Sequence, residues 1–503
     1  MGWVKGPLKA GRQTLDLGHR AAVLGLGISN QSLISHLADQ GIEIWVYDQK
    51  CAGELKNRWA QVSRLVHRAF LGEKYLDEFV QHSRTTGFDW VFVTPGMPKD
   101  LPEIEQAASH GSVISSELPL FMLQCPATKI GITGSSGKTT TTTMLGEMLK
   151  HSQDENVWVG GNIGTTLIDK ITDIEPEDLV VLEISSFQLE LAELTPSFAA
   201  MLNISPNHLD VHGTMDSYIN AKTKILKCQP YGGFALLNWD CEITRSLSTM
   251  TKTEPAFFSM YRTPQDWSCN ETEGYLAGWI CEDLLWVRPR GRERIRLCSV
   301  DEIPLRGPHN VANTLTAGIL AIQMGCEPRR VIEAIKTFSP VSHRLEEVAE
   351  RNGVLFVNDS IATSPDRTIA ALNSFSEPVV LILGGYDKGI SFSKLGEVVV
   401  DKAGKNQVAA VVLTGSTAGK IEEELGAAAD VEGQKLKWTH TRVESETEVP
   451  LLSAGTFEDA FRSAVELSRC GEVVLLSPAC ASYDEFDNFR QRGRIFRELA
   501  RDL

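Results

Sequence analysis

Ile130-Gly-Ile-Thr-Gly-Ser-Ser-Gly-Lys-Thr-Thr140 reads as a hydrophobic strand that runs through a glycine–serine turn into a lysine and a threonine run. Small residues at Gly134, Ser135, Ser136 and Gly137 let backbone N–H groups converge on phosphate oxygens, and a helix beginning near Lys138 adds its positive dipole end. Lys138 is then expected at the β- and γ-phosphates and Thr139 at Mg²⁺, with Thr140 in the same turn, so the stretch points to ATP or GTP. Counting back from Gly137, the first glycine of the strict G-x-x-x-x-G-K-[ST] pattern falls on Ile132, which makes the loop a variant. Its plain alternative is a Gly/Ser turn that only enters a helix. A strand, loop and helix of this kind belong to a parallel α/β sheet.

The 503 residues around it exceed one ordinary core, and a prior of about 150 residues per domain suggests about three domains. A net charge of −16 argues against a nucleic-acid partner, because a phosphate backbone would be repelled. Ten scattered cysteines, with no C-x-x-C pair and no His/Cys cluster, fit a reduced cytoplasmic compartment. The amino-terminal residues lack the apolar run of a signal peptide, and no segment approaches the ~20 apolar residues of a membrane span.

Residues 1–116 alternate short apolar strands (Ala21–Gly25, Ile42–Asp48, Trp90–Thr94, Ser112–Ser115) with helical patterns, as in a Rossmann-like, doubly wound sheet. Gly25-Leu-Gly27-Ile28 is a partial dinucleotide turn with Asn30 in place of the third glycine, and Asp48 ends the next strand where a ribose contact would sit. NAD is one reading, and a UDP-type diphosphate ligand is the preferred one. Thr94-Pro-Gly96 closes a later strand at the same edge.

Residues 117–339 hold the phosphate loop and further strand-length runs at Val157–Gly161, Leu179–Ile184, Phe198–Ile204 and Phe234–Asn238. Each run ends in polar or glycine-rich text, the pattern of a sheet with its site at the strand ends. Glu183 stands where a Mg²⁺ carboxylate belongs, with a mere strand-end role as the alternative. His208 follows the next strand, and is either a metal or phosphoryl contact or a structural histidine. Lys222, on a helix, reads by itself as a solvated lysine. Gly160–Gly164 with Asn162 is a loop suited to a polar ligand or a plain turn, and Asn310 opens an apolar helix as an adenine contact or a cap. Met250–Val300 reads as an antiparallel excursion or a surface insertion, and Arg288–Arg296 as a solvated turn rather than a functional basic patch.

Residues 340–503 give a third sheet, with Val354–Asn358, Val379–Leu383, Val408–Thr414 and Glu472–Ser477 as strands. Arg344 is a candidate phosphate fork, Asp359 a ribose contact and Lys388 a carboxylate holder, each against a solvated-charge alternative. Cys480 raises a nucleophile hypothesis, but no histidine lies nearby in sequence, so a substrate-positioning turn is preferred. Gly426–Val449 reads as loop or short helix.

With these residues on the page, the chain resembles the Mur ligase family. Gly25-Leu-Gly27, Thr94-Pro-Gly96, Thr133–Thr139, Gly161–Gly164, Leu182–Leu189, Asn203–Asp210, His309-Asn310, His343-Arg344, Asn358–Ser360 and Ser477–Gly493 occur in the family's order. Ser185-Ser-Phe-Gln-Leu-Glu190 and Ser477-Pro-Ala-Cys-Ala-Ser-Tyr-Asp-Glu-Phe486 favour the member that adds D-glutamate.

The resemblance implies three α/β domains: a Rossmann-like one for a UDP substrate, a central P-loop ATPase-type one, and a Rossmann-like carboxyl-terminal one for the amino acid. It implies an ATP-dependent ligase that phosphorylates the carboxylate of UDP-N-acetylmuramoyl-L-alanine and joins D-glutamate to the acyl phosphate. By position, Gly134–Thr140, Asn310, Arg344 and Asp359 would serve ATP, with Lys138, His208 and Lys222 catalytic. Thr139, Glu183, His208 and Lys222 would serve two Mg²⁺ sites, Lys222 as a carbamate. Ile28, Asp48, Gly96 and Asn162 would line the UDP-substrate site, and Thr363, Lys388, Ser482 and Phe489 would hold D-glutamate.

A cytoplasmic monomer is expected. Ile361 departs from the lysine common in the Asp-Ser-x-Ala-Thr motif, and Ser136 stands where asparagine is common. The alternatives are another Mur-type or folylpolyglutamate-type ligase, a nicotinamide-dependent oxidoreductase, and a non-catalytic nucleotide-gated binding protein.

Overall fold

Mostly apolar runs of three to seven residues, bounded by glycine or polar text, form the sheets of the computed structural model, which describes residues 17–152, 156–163, 166–266, 276–339, 341–430, 436–441 and 448–503. Gly164, Pro340, the side chain of Asp210 and parts of the 251–300 and 426–449 stretches lie outside the described residues. Among those described are three sheets. The first is parallel throughout, in the order Arg68–Leu71, Glu43–Asp48, Arg20–Leu24, Trp90–Val93, Val113–Ser115. The chain reverses direction of winding at Arg20–Leu24, and ligands of such sheets sit at the carboxyl ends flanking that switch. Gly25–Ile28 and Thr94–Gly96 are both there.

In the second sheet the strand Thr128–Thr133 lies between Leu179–Glu183 and Phe198–Met201, all parallel. Val157–Gly161 continues on one side, and Phe234–Asn238, Glu254–Ser259 and Ala277–Cys281 continue in parallel on the other. The expected antiparallel excursion begins only at Leu284–Arg288 and Ile295–Ser299. Arg290 pairs with Glu254 of the strand Glu254–Ser259 at 2.5 Å and Arg294 lies over Trp286 of its own hairpin, so the basic turn is tied at two points to the sheet.

The third sheet places Val473–Leu476 between Val354–Asn358 and Val379–Gly384, then Val408–Thr414, Glu448–Ser453 and Lys437–Thr439. Its edge strand Glu346–Arg351 is antiparallel.

By compactness the chain divides into two units, residues 1–303 with 312–337, and residues 304–311 with 338–503. The first unit contains both amino-terminal sheets. One apolar cluster runs through it, from Leu33 and Leu37 of the first sheet's helix Ile28–Asp39, through Phe121, to Ile168, Leu182 and Ile225 around the second sheet. The second unit has clusters on both faces of its sheet, one built on Leu381 and Leu475 and the other on Phe356, Phe461 and Phe496.

Candidate active site

Ile132, at the position of the absent first glycine, is buried inside a strand, and its carbonyl accepts the Ile184 amide at 2.9 Å. The chain stays extended to Thr133 and turns at Gly134, whose φ of +156° suits a residue without Cβ. The helix Lys138–Ser152 follows. Lys138 Nζ donates to the Gly134 and Ser135 carbonyls at 3.0 and 3.4 Å, within the loop. Asn203, beyond the neighbouring strand, accepts the Ser136 amide at 2.9 Å and returns a bond to its carbonyl at 3.2 Å. Ser135 Oγ meets the Tyr218 hydroxyl at 2.9 Å. The loop is therefore braced from outside by Asn203 and Tyr218 as well as from within by Lys138.

Glu183 lies on the next strand. Its Oε1 accepts from Asn162 Nδ2 at 2.9 Å, while Oε2 is buried with no hydrogen-bond partner among the described residues. An orphaned buried carboxylate oxygen is costly unless a cation or donor completes it. Gly161 makes this approach feasible: its φ is +92°, and a Cβ there would stand 2.3 Å from the Glu183 carbonyl oxygen.

Lys222, on the helix Met215–Lys227, is fully buried, which corrects its reading as a solvated helix lysine. The apolar face of that helix turns it inward under the loop. Its Nζ donates to the Gly134 carbonyl at 3.0 Å and Thr133 Oγ1 at 3.3 Å, and sits 5.0 Å from the Tyr218 ring centre. Burial pushes its pKa well below the lysine range; the charge of Lys138 adds to this and Glu183 opposes it. Lys138, Glu183 and Lys222 thus share one electrostatic neighbourhood.

His208 is exposed, in left-handed backbone at φ 56°, with the Phe187 ring edge-on at 5.1 Å. Among the described residues no three His, Cys, Asp or Glu side chains are arranged to hold a metal by themselves. Cations at Glu183 or His208 would need phosphate oxygens or a modified lysine as further ligands.

At the first sheet's edge, Asp48 Oδ2 accepts the Leu26 amide at 2.6 Å and anchors the Gly25 turn, while Oδ1 accepts the Lys50 amide at 2.8 Å in the loop after its own strand. Asn30, in the third-glycine position, staples the same turn by donating to the Gly25 carbonyl at 2.8 Å. Ile28 and Gly96 are exposed beside it.

Asn310, Arg344 and Asp359 belong to the second unit. Asn310 Nδ2 donates to the Arg306 carbonyl at 2.7 Å. His309 is held neutral, its pKa lowered to about 4 by burial and by the Arg344 charge. Asp359 is buried; desolvation raises its pKa to about 7 against the Ser477 hydroxyl bond at 2.9 Å, Arg344, the Leu345 amide and Arg367.

Thr363 and Ser482 lie on loops at the carboxyl edge of the third sheet, Phe489 opens a helix there, and Lys388 is exposed. A residue the sequence did not flag gathers them. Buried Arg492 donates to Ser360 Oγ at 3.0 Å and to the Ser360, Ala481 and Cys480 carbonyls at 2.9, 3.1 and 3.0 Å. Its only sequence signal is a place on the buried stripe of the helix Phe489–Arg501. Cys480 is buried with its thiol pushed up to about 11, chiefly by desolvation, which disfavours a thiolate nucleophile.

Family models match along the chain in this order: "Mur ligase MurD-like, N-terminal domain" over residues 19–116, "Mur ligase middle domain" over 132–321 and "Mur ligase, glutamate ligase domain" over 343–480. UDP-N-acetylmuramoylalanine–D-glutamate ligases from Acetivibrio thermocellus and Symbiobacterium thermophilum are each 40% identical. They cover 96% and 97% of this chain, and 96% and 99% of their own lengths. The fold is shared with the UDP-N-acetylmuramate–alanine ligase MurC of Thermotoga maritima (TM-score 0.55, 18% identity, 96% of this chain and 100% of that one). It is shared too with the MurF ligase of Thermotoga maritima (TM-score 0.52, 17% identity, 93% and 91%). The chain belongs to the Mur ligase family.

Proposed function

We propose that this protein joins D-glutamate to UDP-N-acetylmuramoyl-L-alanine with cleavage of ATP, a step of peptidoglycan precursor synthesis. The observation that carries the reading is the grouping of Lys138, Glu183 and buried Lys222 about the Gly134 loop, in a chain 40% identical to ligases of that name. The loop amides and Lys138 bind the triphosphate and draw charge from its terminal phosphate as that phosphate passes to the substrate carboxylate. The acyl phosphate so formed is attacked by the amine of D-glutamate, releasing phosphate and leaving an amide. Asn310, Arg344 and Asp359 bind the nucleotide, and Ile28, Asp48, Gly96 and Asn162 bind the UDP substrate. Thr363, Lys388, Ser482 and Phe489 hold D-glutamate.

Thr139, Glu183, His208 and Lys222 would hold Mg²⁺ at two sites. Mg²⁺ there supplies fixed positive charge to phosphate oxygens. Lys222 fits its part because desolvation favours the neutral amine, the form that adds carbon dioxide to become a carbamate, and a carbamate presents anionic oxygens where an ammonium would repel a cation. Three domains at 1–116, 117–339 and 340–503, acting as a cytoplasmic monomer, complete the reading. No helix among the described residues is long and apolar enough to cross a membrane.

The test is ADP release with a panel of amino acids. ADP should appear only when UDP-N-acetylmuramoyl-L-alanine, D-glutamate and Mg²⁺ are present together with ATP. Product with L-glutamate or another amino acid, and none with D-glutamate, would assign the chain to a sister ligase.

A further inference from the structure

Glu190 ends the Ser185–Glu190 run, outside the residues proposed to bind ATP, Mg²⁺ or substrate. Three elements of the first unit converge on its half-buried side chain and backbone. Lys99 Nζ lies 3.6 Å from Glu190 Oε2, and the same ammonium donates to the Thr94 carbonyl at 3.2 Å, the Pro95 carbonyl at 2.7 Å and the Met97 carbonyl. His212 Nδ1 lies 3.4 Å from Glu190 Oε1. Lys224, two residues from Lys222, donates to the Glu190 carbonyl.

Beyond Glu190 the chain of contacts continues toward the phosphoryl site. His212 Nε2 bonds Ser186 Oγ at 3.0 Å, and its ring stacks on Phe187 at 4.9 Å with 3° between planes. Phe187 in turn meets His208 edge-on, and the His212 amide donates to the His208 carbonyl at 3.0 Å. His208 sits in left-handed backbone, a conformation that persists only when its surroundings over-determine it.

Lys99 is largely desolvated, and burial lowers its pKa against the opposing pull of Glu190. A buried ammonium clamped on three carbonyls fixes the shape of a turn, but needs a carboxylate to stay charged. Glu190 is that carboxylate, and it comes from the end of the short helix Ser186–Leu189 that follows a strand of the second sheet.

We propose that Glu190 is a positioning residue that ties the Thr94–Met97 turn to the His208 loop, so that seating the sugar nucleotide at the turn also orders the metal and phosphoryl side of the site. This rests on the functional reading above for what binds at each end.

The experiment uses the full chain, with Lys99→Met, Glu190→Gln, the double variant, and the conservative Glu190→Asp. Each single charge removal should raise KM for UDP-N-acetylmuramoyl-L-alanine about tenfold and leave KM for ATP within about twofold; the double variant should be no worse than the worse single, because partners in one network do not add. Glu190→Asp should recover part of the loss. Singles within twofold of the parent, or losses that multiply in the double variant, overturn the proposal.

Hydrogen exchange without substrate reads the tie separately. Glu190→Gln should speed exchange at both Gly96–Lys99 and His212–Gly213, and acceleration at one segment alone refutes it. A parent enzyme inactive on this substrate would sink the functional reading, while the exchange result would still decide the coupling.

Discussion

Lys222 decides between two chemistries at the scale of a single side chain. A protonated amine, wholly desolvated and a near neighbour of Lys138, would repel any cation bound by Glu183. A carbamate in the same place would attract one and would relieve the crowding of positive charge. Replacing Lys222 by alanine removes either group, so kcat should fall by about 10²–10³-fold, as for loss of one preorganised electrostatic partner. Short carboxylates added to Lys222→Ala should restore part of it by standing in for the carbamate oxygens, whereas ammonium compounds should restore nothing. Recovery by the amines instead would show that the bare lysine is the working form.

Asp359 allows a second test at this scale. An unfolded aspartate titrates near 4, and in the fold the value is about 7. The folded state therefore holds the proton more tightly. The stability linked to it is full below about pH 4 and is lost progressively as pH rises to about 7, where the buried carboxyl must ionise. Asp359→Asn removes that penalty, on the order of 4 kcal/mol at pH 8 before any weakened hydrogen bonds are counted. The variant should melt above the parent at pH 8 and close to it at pH 4.5. A gap that is larger at the lower pH would reverse the sign and refute the assignment.

At the scale of strands and loops, the site depends on one close approach between Val157–Gly161 and Leu179–Glu183. With φ of +92° and the Glu183 carbonyl in the way, Gly161→Ala requires the two strand ends to part. A stability loss of about 1–3 kcal/mol is expected, together with a fall in activity larger than the stability loss explains, because the Glu183 carboxylate moves with its backbone. Denaturant unfolding beside kcat/KM separates the two effects.

The same elements show what the sequence could convey. Leu179–Glu183 was legible because four apolar residues end in a carboxylate, and the phosphate loop was legible from its small residues and lysine. Arg68–Leu71 was not, since an edge strand with exposed residues lacks an apolar run. The burial of Lys222 was invisible to pattern alone: a lysine on an amphipathic helix is ordinarily outside, and only the loop packed above it reverses this. Arg492 was hidden for the same reason, its five-donor fork being satisfied by carbonyls far apart in sequence.

At the scale of the molecule, the proposed ligands fall on different compact units. Ile28, Asp48, Gly96 and Asn162 all belong to the first, and Thr363, Lys388, Ser482 and Phe489 to the second. Each unit buries its own apolar clusters, and units with separate cores unfold in separable steps. Calorimetry should then resolve more than one transition. A ligand that binds only a folded unit stabilises that unit by mass action, so UDP-N-acetylmuramoyl-L-alanine at about 100 times its Kd should raise one transition by about 5 °C. The other should move by less than about 1 °C. D-glutamate should act on the transition that the sugar nucleotide leaves alone. ATP, whose proposed contacts include Lys138 in the first unit and Arg344 in the second, should move both. If all three ligands shift one cooperative transition equally, the units share their stability and the assignment of each substrate to its own unit fails.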